Sequence, residues 1–216
     1  MYGGAVPGDA LPRGGSELSS LCFASAAAWR EWLEGHGAES PGVWLRLAKK
    51  GSGVTTVTYS DALDVALCFG WIDGQKGALD GRYWLQRFTR RGARSRWSKI
   101  NRDRADALLA AGLMTPAGRA EIDRARADGR WDAAYSGQRT ATVPDDLQVA
   151  LDANPKAQGF FARLSGAGRY AILYRIDEAK RPETRARRIE RFVAMLAAGE
   201  APHSLSDARP RQRQTP

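Results

Sequence analysis

Two segments of the chain alternate apolar and polar residues with a period of two. In "VWLRLA", Val43, Leu45 and Leu47 share one side of an extended chain, and the segment "RYWLQRFTR", residues 82–90, repeats the pattern. Successive side chains of a strand point to opposite faces, so both segments are predicted to be strands of a sheet. The β-branched segment 54–59 is either a further strand or an extended lead-in to a helix.

A period of three to four residues predicts helices in the rest of the N-terminal half. Ser25 is a candidate N-cap for the first of them. The apolar run "DALDVALCFGW" predicts a buried helix that Ser60 caps and that ends near Trp71, so that "GWIDG" closes it. Two further helices are predicted to start at Asn101 and at Thr115, which precedes a proline.

The C-terminal third has a predominantly helical pattern. Pro144 opens one predicted helix, "NPKAQGFFARL" predicts another, and residues 166–176 are either helix or strand. The clearest helix is "PETRARRIERFVAMLAAG". Its apolar stripe consists of Ile189, Phe192, Val193 and Leu196.

These elements predict an α+β fold, with a small mixed sheet packed against helices and followed by a C-terminal helical unit. We expect the α+β core domain in residues 21–135 and the helical unit in residues 143–199, joined by a linker over residues 131–142. Residues 1–20 are rich in Gly and Pro and are predicted to be a disordered tail. Residues 200–216 are predicted to be a basic, flexible tail.

The composition narrows the classes of partner. The chain has 216 residues, of which 43% are hydrophobic, and a net charge of +9. This charge favours anionic partners such as nucleotides, phosphorylated metabolites, nucleic acid or anionic lipid; the alternative is an arginine-rich surface without a specific partner. Two cysteines and two widely separated histidines provide neither a disulfide framework nor a zinc-binding pattern, so no metal is expected.

Several sequence signals are missing. There is no apolar run of about 18 residues and no basic region followed by an apolar one at the N-terminus, so we expect no membrane span and a cytoplasmic location. No nucleophile elbow, phosphate loop or dinucleotide fingerprint occurs, and no cofactor is therefore expected. The pattern gives no indication of the oligomeric state.

Basic residues are concentrated between residues 87 and 104, where Asp103 is the only acidic residue. Basic side chains interleaved with an aromatic ring, here Trp97, suit phosphate contacts and stacking, and a turn at Gly92 would direct backbone N–H groups toward an anion. The alternative is a solvated loop that Trp97 anchors to the core. The candidate ligand-binding residues are Trp71, Arg87, Arg91, Ser95, Trp97, Ser98 and Asn101, together with Lys49 at the end of the first predicted strand.

Asp73 is the candidate acid, because it lies between the aromatic Trp71 and the basic segment. A carboxylate near arginines is either an ion-pair partner or a proton carrier, and an aspartate before a glycine can also simply form a turn. If the protein is an enzyme, Asp73 would act as general acid or base, with Tyr59 or Lys99 assisting.

The motifs "GVWLRLAKK", "TYSDALDVALCFGWIDG", "RFTRRGARSRWSKIN", "GLMTPAG", "GRWDAAY" and "IDEAKRPETRARRIERFVAML" occur in one order along the chain. Together they resemble the YdeI/OmpD-associated (OmdA-type, bacteriocin-protection) family over residues 23–199. The resemblance implies a role in antimicrobial or stress resistance but no particular reaction. Because a protein of charge +9 does not attract cationic peptides, an anionic target or an indirect role is expected.

Three functions are consistent with the sequence. The first is binding of an anionic or aromatic small molecule in a pocket lined by arginine and tryptophan. The second is an enzyme that acts on such a molecule, in self-resistance or natural-product biosynthesis. The third is nucleic-acid binding, which ranks last because no fold signature of an RNA- or DNA-binding domain is present.

Overall fold

The computed structural model describes residues 19–202, and these divide into two compact units after Ala134. Unit 1 comprises residues 19–134 and unit 2 comprises residues 135–202. The predicted α+β class is confirmed, because unit 1 contains a mixed sheet with helices and unit 2 contains helices alone within the described residues. Most of each predicted tail, namely residues 1–18 and residues 203–216, lies outside the described residues.

The sheet of unit 1 has four strands in the order β1-β2-β4-β3. β1 is parallel to β2, whereas β2 and β3 are both antiparallel to β4. The two strands that the alternating pattern predicts, β2 and β4, are confirmed. The bounds are Ser20–Leu21 for β1, Val43–Ala48 for β2, Trp71–Ala78 for β3 and Tyr83–Arg90 for β4.

Four helices complete the described part of unit 1, and a start was predicted from the sequence for each of them. Ser25 caps α1 and Thr115 caps α4, as predicted. Thr58, rather than Ser60, caps α2, because its hydroxyl accepts the Asp61 N–H at 3.2 Å. The bounds are Ala26–His36 for α1, Tyr59–Cys68 for α2, Lys99–Ala110 for α3 and Pro116–Ala127 for α4.

The segment "GWIDG" does not close a helix, and the prediction that α2 reaches Trp71 is wrong. α2 ends at Cys68, and Gly70 has φ of +73°, which reverses the chain direction at low cost only for glycine. A Cβ at Gly70 would also lie 2.8 Å from the side chain of Glu121 in α4. β3 therefore begins directly at Trp71, and Asp73 lies in a strand instead of a turn.

In unit 1, the structure of residues 54–58 decides between two alternatives that the sequence left open, and Trp131 differs from its predicted role. Residues 54–58 form no strand and serve as the extended lead-in to α2. Trp131, assigned to a linker, is only 7% exposed and belongs to the core. That core also contains Trp29, Leu33, Val43, Leu45, Leu47, Leu67, Trp71, Phe88, Trp97 and Ile122.

Unit 2 is helical throughout its regular structure. The alternative for residues 166–176 is settled in favour of a helix. The predicted stripe of the last helix is buried at Ile189, Phe192 and Leu196, and it packs with Leu147, Leu151, Phe161, Ile172 and Ile176 in a separate core. The bounds are Asp145–Asp152 for α5, Pro155–Arg163 for α6, Gly166–Asp177 for α7 and Pro182–Ala197 for α8.

Arginines of α8 hold the C-terminal end of α7. Arg185 Nη1 donates to the carbonyl oxygen of Ile176 at 3.3 Å, and Arg188 Nη1 donates to that of Arg175. The last carbonyl groups of a helix have no partner within the helix, and positive charge there is favourable to its dipole. The polar face of α8 thus contributes to the packing of unit 2.

None of the helices in residues 19–202 combines the length and the apolar character needed to cross a membrane. Among the same residues, no group of three or more His, Cys, Asp or Glu side chains is arranged to hold a metal ion.

Candidate functional site

An irregularity in the hairpin of β3 and β4 decides which polar side chains share a face. Asp73 lies opposite Phe88, and Lys76 lies opposite Gln86, so three steps along β3 match two steps along β4. β3 therefore contains a β-bulge between Asp73 and Lys76. Directly opposed residues of antiparallel strands point to the same face, so the bulge places Asp73 and Lys76 together on the face that carries the buried Phe88.

Gln86 supports this bulge from the neighbouring strand. Its side chain is fully buried, and its Nε2 donates to the carbonyl oxygens of Gly74 at 3.0 Å, Gln75 at 3.3 Å and Arg87 at 3.2 Å. A bulge interrupts the ladder and leaves backbone groups without strand partners, which is costly when they are buried. Because Gln86 supplies those partners, the bulge is a stable part of the fold.

Tyr59 reaches the same face from the helical layer. It is the first residue of α2, and its Oη donates to Oδ2 of Asp73 at 2.7 Å. This is the usual length of an O–H···O hydrogen bond. The other carboxylate oxygen, Oδ1, accepts no hydrogen bond within residues 19–202. Among these described residues, Oδ1 therefore remains available to a further donor.

Lys76 and Trp84 lie beside this pair. The Lys76 ammonium is 5.1 Å from the ring centroid of Trp84 and 5.5 Å from that of Tyr59, which is within the range of cation–π attraction. Within the described residues it forms no hydrogen bond or ion pair. We refer to Tyr59, Asp73, Lys76 and Trp84 as the Asp73 cluster; all four retain solvent-exposed surface.

The arginine loop, residues 90–98, has a different construction. The guanidinium of Arg91 lies 3.4 Å from the ring centroid of Trp97, and its Nη1 donates to the carbonyl oxygen of Arg96 at 3.2 Å. Arg91 is 5% exposed and Trp97 is 2% exposed. These two candidate ligand-binding residues therefore present almost no surface to the solvent, and their side chains stack on each other.

Ser95 and Arg130 fasten the arginine loop. The Ser95 hydroxyl accepts the N–H of Gly92 at 2.9 Å, and Arg130 Nη1 donates to the Ser95 carbonyl at 2.8 Å. Arg130 also binds both carboxylate oxygens of Asp128, and this hydrogen bonding holds the pKa of Asp128 below its usual range. The backbone turn that was expected to face an anion is thus closed by groups of the protein itself.

The start of α3 also differs from its prediction. Ser98 is the N-cap, because its hydroxyl accepts the N–H of Asn101 at 3.1 Å; Asn101 lies within the first turn and is not the cap. Lys99 is the first helical residue and is exposed. Within the described residues, the hydrogen bond of Asp73 is to Tyr59 and not to Lys99.

The remaining candidate residues are distributed over unit 1. Trp71 is 1% exposed and its indole N–H donates to the carbonyl of Gly37 at 3.3 Å. Arg87 points to the opposite face of the sheet, where it donates to the Gln75 side chain at 3.0 Å.

Lys49 donates to the backbone carbonyl of Asp80 at 2.7 Å. The backbone N–H groups of Tyr83 and Arg82 keep the pKa of the Asp80 carboxyl low.

Sequence reasoning named Asp73 and Tyr59 but missed Lys76, Trp84 and the supporting Gln86. The usable signal was the pair of glycines in "DGQKG", because glycine within a strand often marks a bulge. Without the bulge, residues three apart in a strand face opposite sides, and Lys76 would have been assigned to the wrong face.

Comparison with protein-family models gives two matches. Residues 21–121 match a domain of unknown function (DUF8412), and residues 140–199 match the model described as bacteriocin-protection, YdeI or OmpD-associated. No curated protein and no solved structure matches the chain. The resemblance inferred from the motifs is therefore confirmed for the C-terminal residues. The motifs from "GVWLRLAKK" to "GLMTPAG" fall in the other domain, and "GRWDAAY" lies outside both matches. Over residues 140–199, the chain is therefore similar to the YdeI/OmpD-associated, bacteriocin-protection family.

Proposed function

We propose that this protein binds a small molecule that carries both an aromatic ring and an anionic group, and that the Asp73 cluster is the binding site. The observation that carries the proposal is the bulge in β3, which gathers the Asp73 carboxylate, the Lys76 ammonium and two aromatic rings on one partly exposed face. These groups recognise the two chemical features of such a ligand separately.

Lys76 provides the contact for the anionic group. Its ammonium has no hydrogen-bond acceptor or carboxylate partner within the described residues, so its three donors are available. A charge-assisted hydrogen bond to a phosphate or carboxylate is about twice as strong as a neutral one. The rings of Tyr59 and Trp84 hold the ammonium in place before the ligand arrives.

Trp84 and Asp73 provide the contacts for the rest of the ligand. The half-buried indole of Trp84 offers an apolar surface against which an aromatic ring gains both buried area and specific ring geometry. Oδ1 of Asp73 accepts a hydrogen bond from a hydroxyl or amine of the ligand, while Oδ2 remains bound to Tyr59. A role in antimicrobial or stress resistance, which the family suggests, is compatible with capture of such a molecule.

The experiment compares phenyl phosphate with its two halves, phenol and inorganic phosphate, by calorimetric titration of the full chain. Phenyl phosphate is expected to bind more tightly than either half. Lys76→Met should weaken its binding by about ten-fold, because one charged contact is lost. Lys50→Met removes the same charge from an exposed position outside the Asp73 cluster and should leave the affinity unchanged. Equal losses in the two variants would contradict the proposal.

A second candidate function is acid–base catalysis on a bound molecule, and the 2.7 Å hydrogen bond between Tyr59 and Asp73 favours it. A phenol bound to a carboxylate can transfer a proton to or from a reacting group. An enzyme predicts that Asp73→Asn retains most of the ligand affinity but abolishes turnover. A pure binding protein predicts no turnover in either form.

A further inference from the structure

Unit 2 contains a groove of about 720 Å³ that is lined by α5, by α8 and by Asn154. Its lining residues extend along α8 from Pro182 to Ala194, a distance of about 18 Å at the rise of an α-helix. Pockets that bind small molecules have volumes of about 300–1,000 Å³. The groove is therefore large enough for such a molecule, and its length along α8 suits an elongated one.

Most residues that line the groove are apolar. α5 contributes Ala150 and Ala153, and α8 contributes Ile189 and Val193. Ile189 belongs to the core of unit 2, and Val193 packs against that core, so the groove opens onto it. Val149, the neighbour of Ala150, is 69% exposed and adds apolar surface of α5. Removal of this surface from water favours the binding of an apolar molecule.

The polar side chains that line the groove leave one negative charge without a partner among the described residues. Arg185 and Asp146 neutralise each other, because Nε and Nη2 of Arg185 donate to the two carboxylate oxygens at 2.5 and 2.9 Å. Asn154 caps α6 through its Oδ1, which accepts the N–H of Ala157 at 3.1 Å. Glu190 forms no hydrogen bond or ion pair within the described part of the chain. The groove therefore favours positive charge, although the net charge of the chain is +9.

We propose that this groove binds an amphipathic amine, an elongated apolar molecule that ends in an ammonium group. The apolar part lies between α5 and α8, and the ammonium group contacts the Glu190 carboxylate. A fatty acid of the same shape is disfavoured, because the guanidinium of Arg185 is already bound to Asp146. The site lies within unit 2 and does not depend on the function proposed for unit 1.

The test uses three probes with the same octyl chain, namely octylammonium, 1-octanol and octanoate, in calorimetric titrations of the full chain. Octylammonium is expected to bind about five-fold more tightly than 1-octanol, which is the upper range for an exposed ion pair. Octanoate is expected to bind more weakly than 1-octanol, because its charge has the same sign as that of Glu190. Equal affinities for the three probes, or tightest binding of octanoate, would overturn the proposal.

Two variants with the same change in net charge test the contact with Glu190. Glu190→Gln should abolish the preference for octylammonium over 1-octanol, since it removes the charge that distinguishes the two probes. Glu183→Gln makes the same change at an exposed position of α8 that does not line the groove, and the preference should remain. A preference that persists in Glu190→Gln would refute the contact.

A second pair of variants tests the location of the apolar part. Ala150→Met places a larger side chain in the groove and should weaken the binding of octylammonium by about ten-fold, as if about two methylene groups stayed in water. Ala162→Met makes the same change at an exposed position of α6 outside the groove and should leave the affinity unchanged. Melting temperatures verify that both variants fold. Unchanged binding in Ala150→Met would contradict this location.

A second copy of the chain is the competing occupant of the groove. Ala194→Glu introduces a charge at an exposed position in the lining and would disrupt such a contact. We expect the parent and this variant to have the same sedimentation coefficient. A parent that sediments as a dimer, together with an Ala194→Glu variant that sediments as a monomer, would show that two chains cover the groove and would overturn the proposal.

Discussion

The arginine loop and the Asp73 cluster are both polar regions of unit 1, but they use their charges in opposite ways. In the arginine loop, Arg91 stacks on a buried indole and donates to a backbone carbonyl. In the Asp73 cluster, the contacts of the Lys76 ammonium with the rest of residues 19–202 are to ring faces, and one oxygen of Asp73 accepts no hydrogen bond from these residues. The density of charge in a sequence therefore does not tell how much of that charge is available to a ligand.

Local backbone geometry explains the difference between these regions. A turn exposes carbonyl oxygens, and long arginine side chains nearby bind them, as Arg91 and Arg130 do. In the bulge, the buried Gln86 already donates to the carbonyl oxygens, so the neighbouring side chains are not needed as donors. Within residues 19–202, the Lys76 ammonium and Oδ1 of Asp73 therefore keep the capacity to contact other molecules.

The largest expected effect comes from removing the indole of the arginine loop. Trp97→Ala should reduce the free energy of unfolding by about 3–5 kcal/mol, because the fully buried ring packs against Arg91 and lies edge-on to Trp131 at 4.8 Å. Urea denaturation followed by circular dichroism measures this loss. The half-buried Trp84→Ala is the matched variant in the Asp73 cluster and should cost less. Similar losses of unfolding free energy in Trp97→Ala and Trp84→Ala would contradict the difference described between the arginine loop and the Asp73 cluster.

A smaller effect should separate two arginines of the same loop. Arg91→Ala should cost about 2–3 kcal/mol of unfolding free energy, since a desolvated stacking contact and a charged hydrogen bond disappear together. Arg94→Ala, at an exposed position, should stay within about 0.5 kcal/mol of the parent. Chemical denaturation of both variants under identical conditions checks the difference. If Arg94→Ala is the more destabilising change, the structural role assigned to Arg91 is wrong.

Substitution of Gln86 tests whether its hydrogen bonds stabilise the bulge. Gln86→Leu should cost about 1–3 kcal/mol, because the carbonyls of Gly74 and Gln75 lose the amide donor of the buried Gln86. We also expect weaker binding of phenyl phosphate, since Lys76 is positioned by the bulge. Gln75→Ala, an exposed change in the same hairpin, serves as control and should have a small effect on stability. Unchanged stability in Gln86→Leu would show that the bulge does not need this amide.

The smallest expected effect is a change in how the stability of unit 2 depends on pH. Hydrogen bonds from Arg185 hold the pKa of Asp146 below its usual range, so this pair contributes stability that is fully present above about pH 3.9, the pKa of an unfolded aspartate. The contribution is lost as the pH falls from there through the lower folded-state pKa. Melting temperatures measured between pH 7 and pH 3 should fall less steeply in Asp146→Asn than in the parent. Asp152→Asn is a comparison variant on the same helix, and an identical slope in Asp146→Asn and the parent would contradict the assignment.

Much of the fold was predictable because its signals are local. The alternation of Val43, Leu45 and Leu47 predicts a strand from side-chain direction alone, and Thr115 before a proline predicts a helix start from backbone chemistry alone. β3 was missed because its residues follow a long apolar run and contain two glycines, which weaken a strand pattern. Trp71 pairs with Arg90 at the far end of the hairpin, so the start of β3 has no local signal in the sequence.

The candidate site was predictable only in part, for the same reason. Asp73 stood out by its neighbours, and Tyr59 by its place near a helix start, but their hydrogen bond depends on the packing of α2 on the sheet. Lys76 joins them only because of the bulge. Whether the other candidate residues contact a ligand stays a prediction, and the burial of Trp71, Arg91 and Trp97 leaves them little surface for it.

The bulge has one more consequence, because β3 forms an outer edge of the described sheet. An outer strand with an even row of unpaired N–H and C=O groups can accept a strand from another molecule, which leads to aggregation. The extra residue between Asp73 and Lys76 breaks the spacing of that row, and the lysine adds a charge beside it. The bulge that brings the Asp73 cluster together therefore also makes this edge of the sheet less suited to pairing with a strand of another molecule.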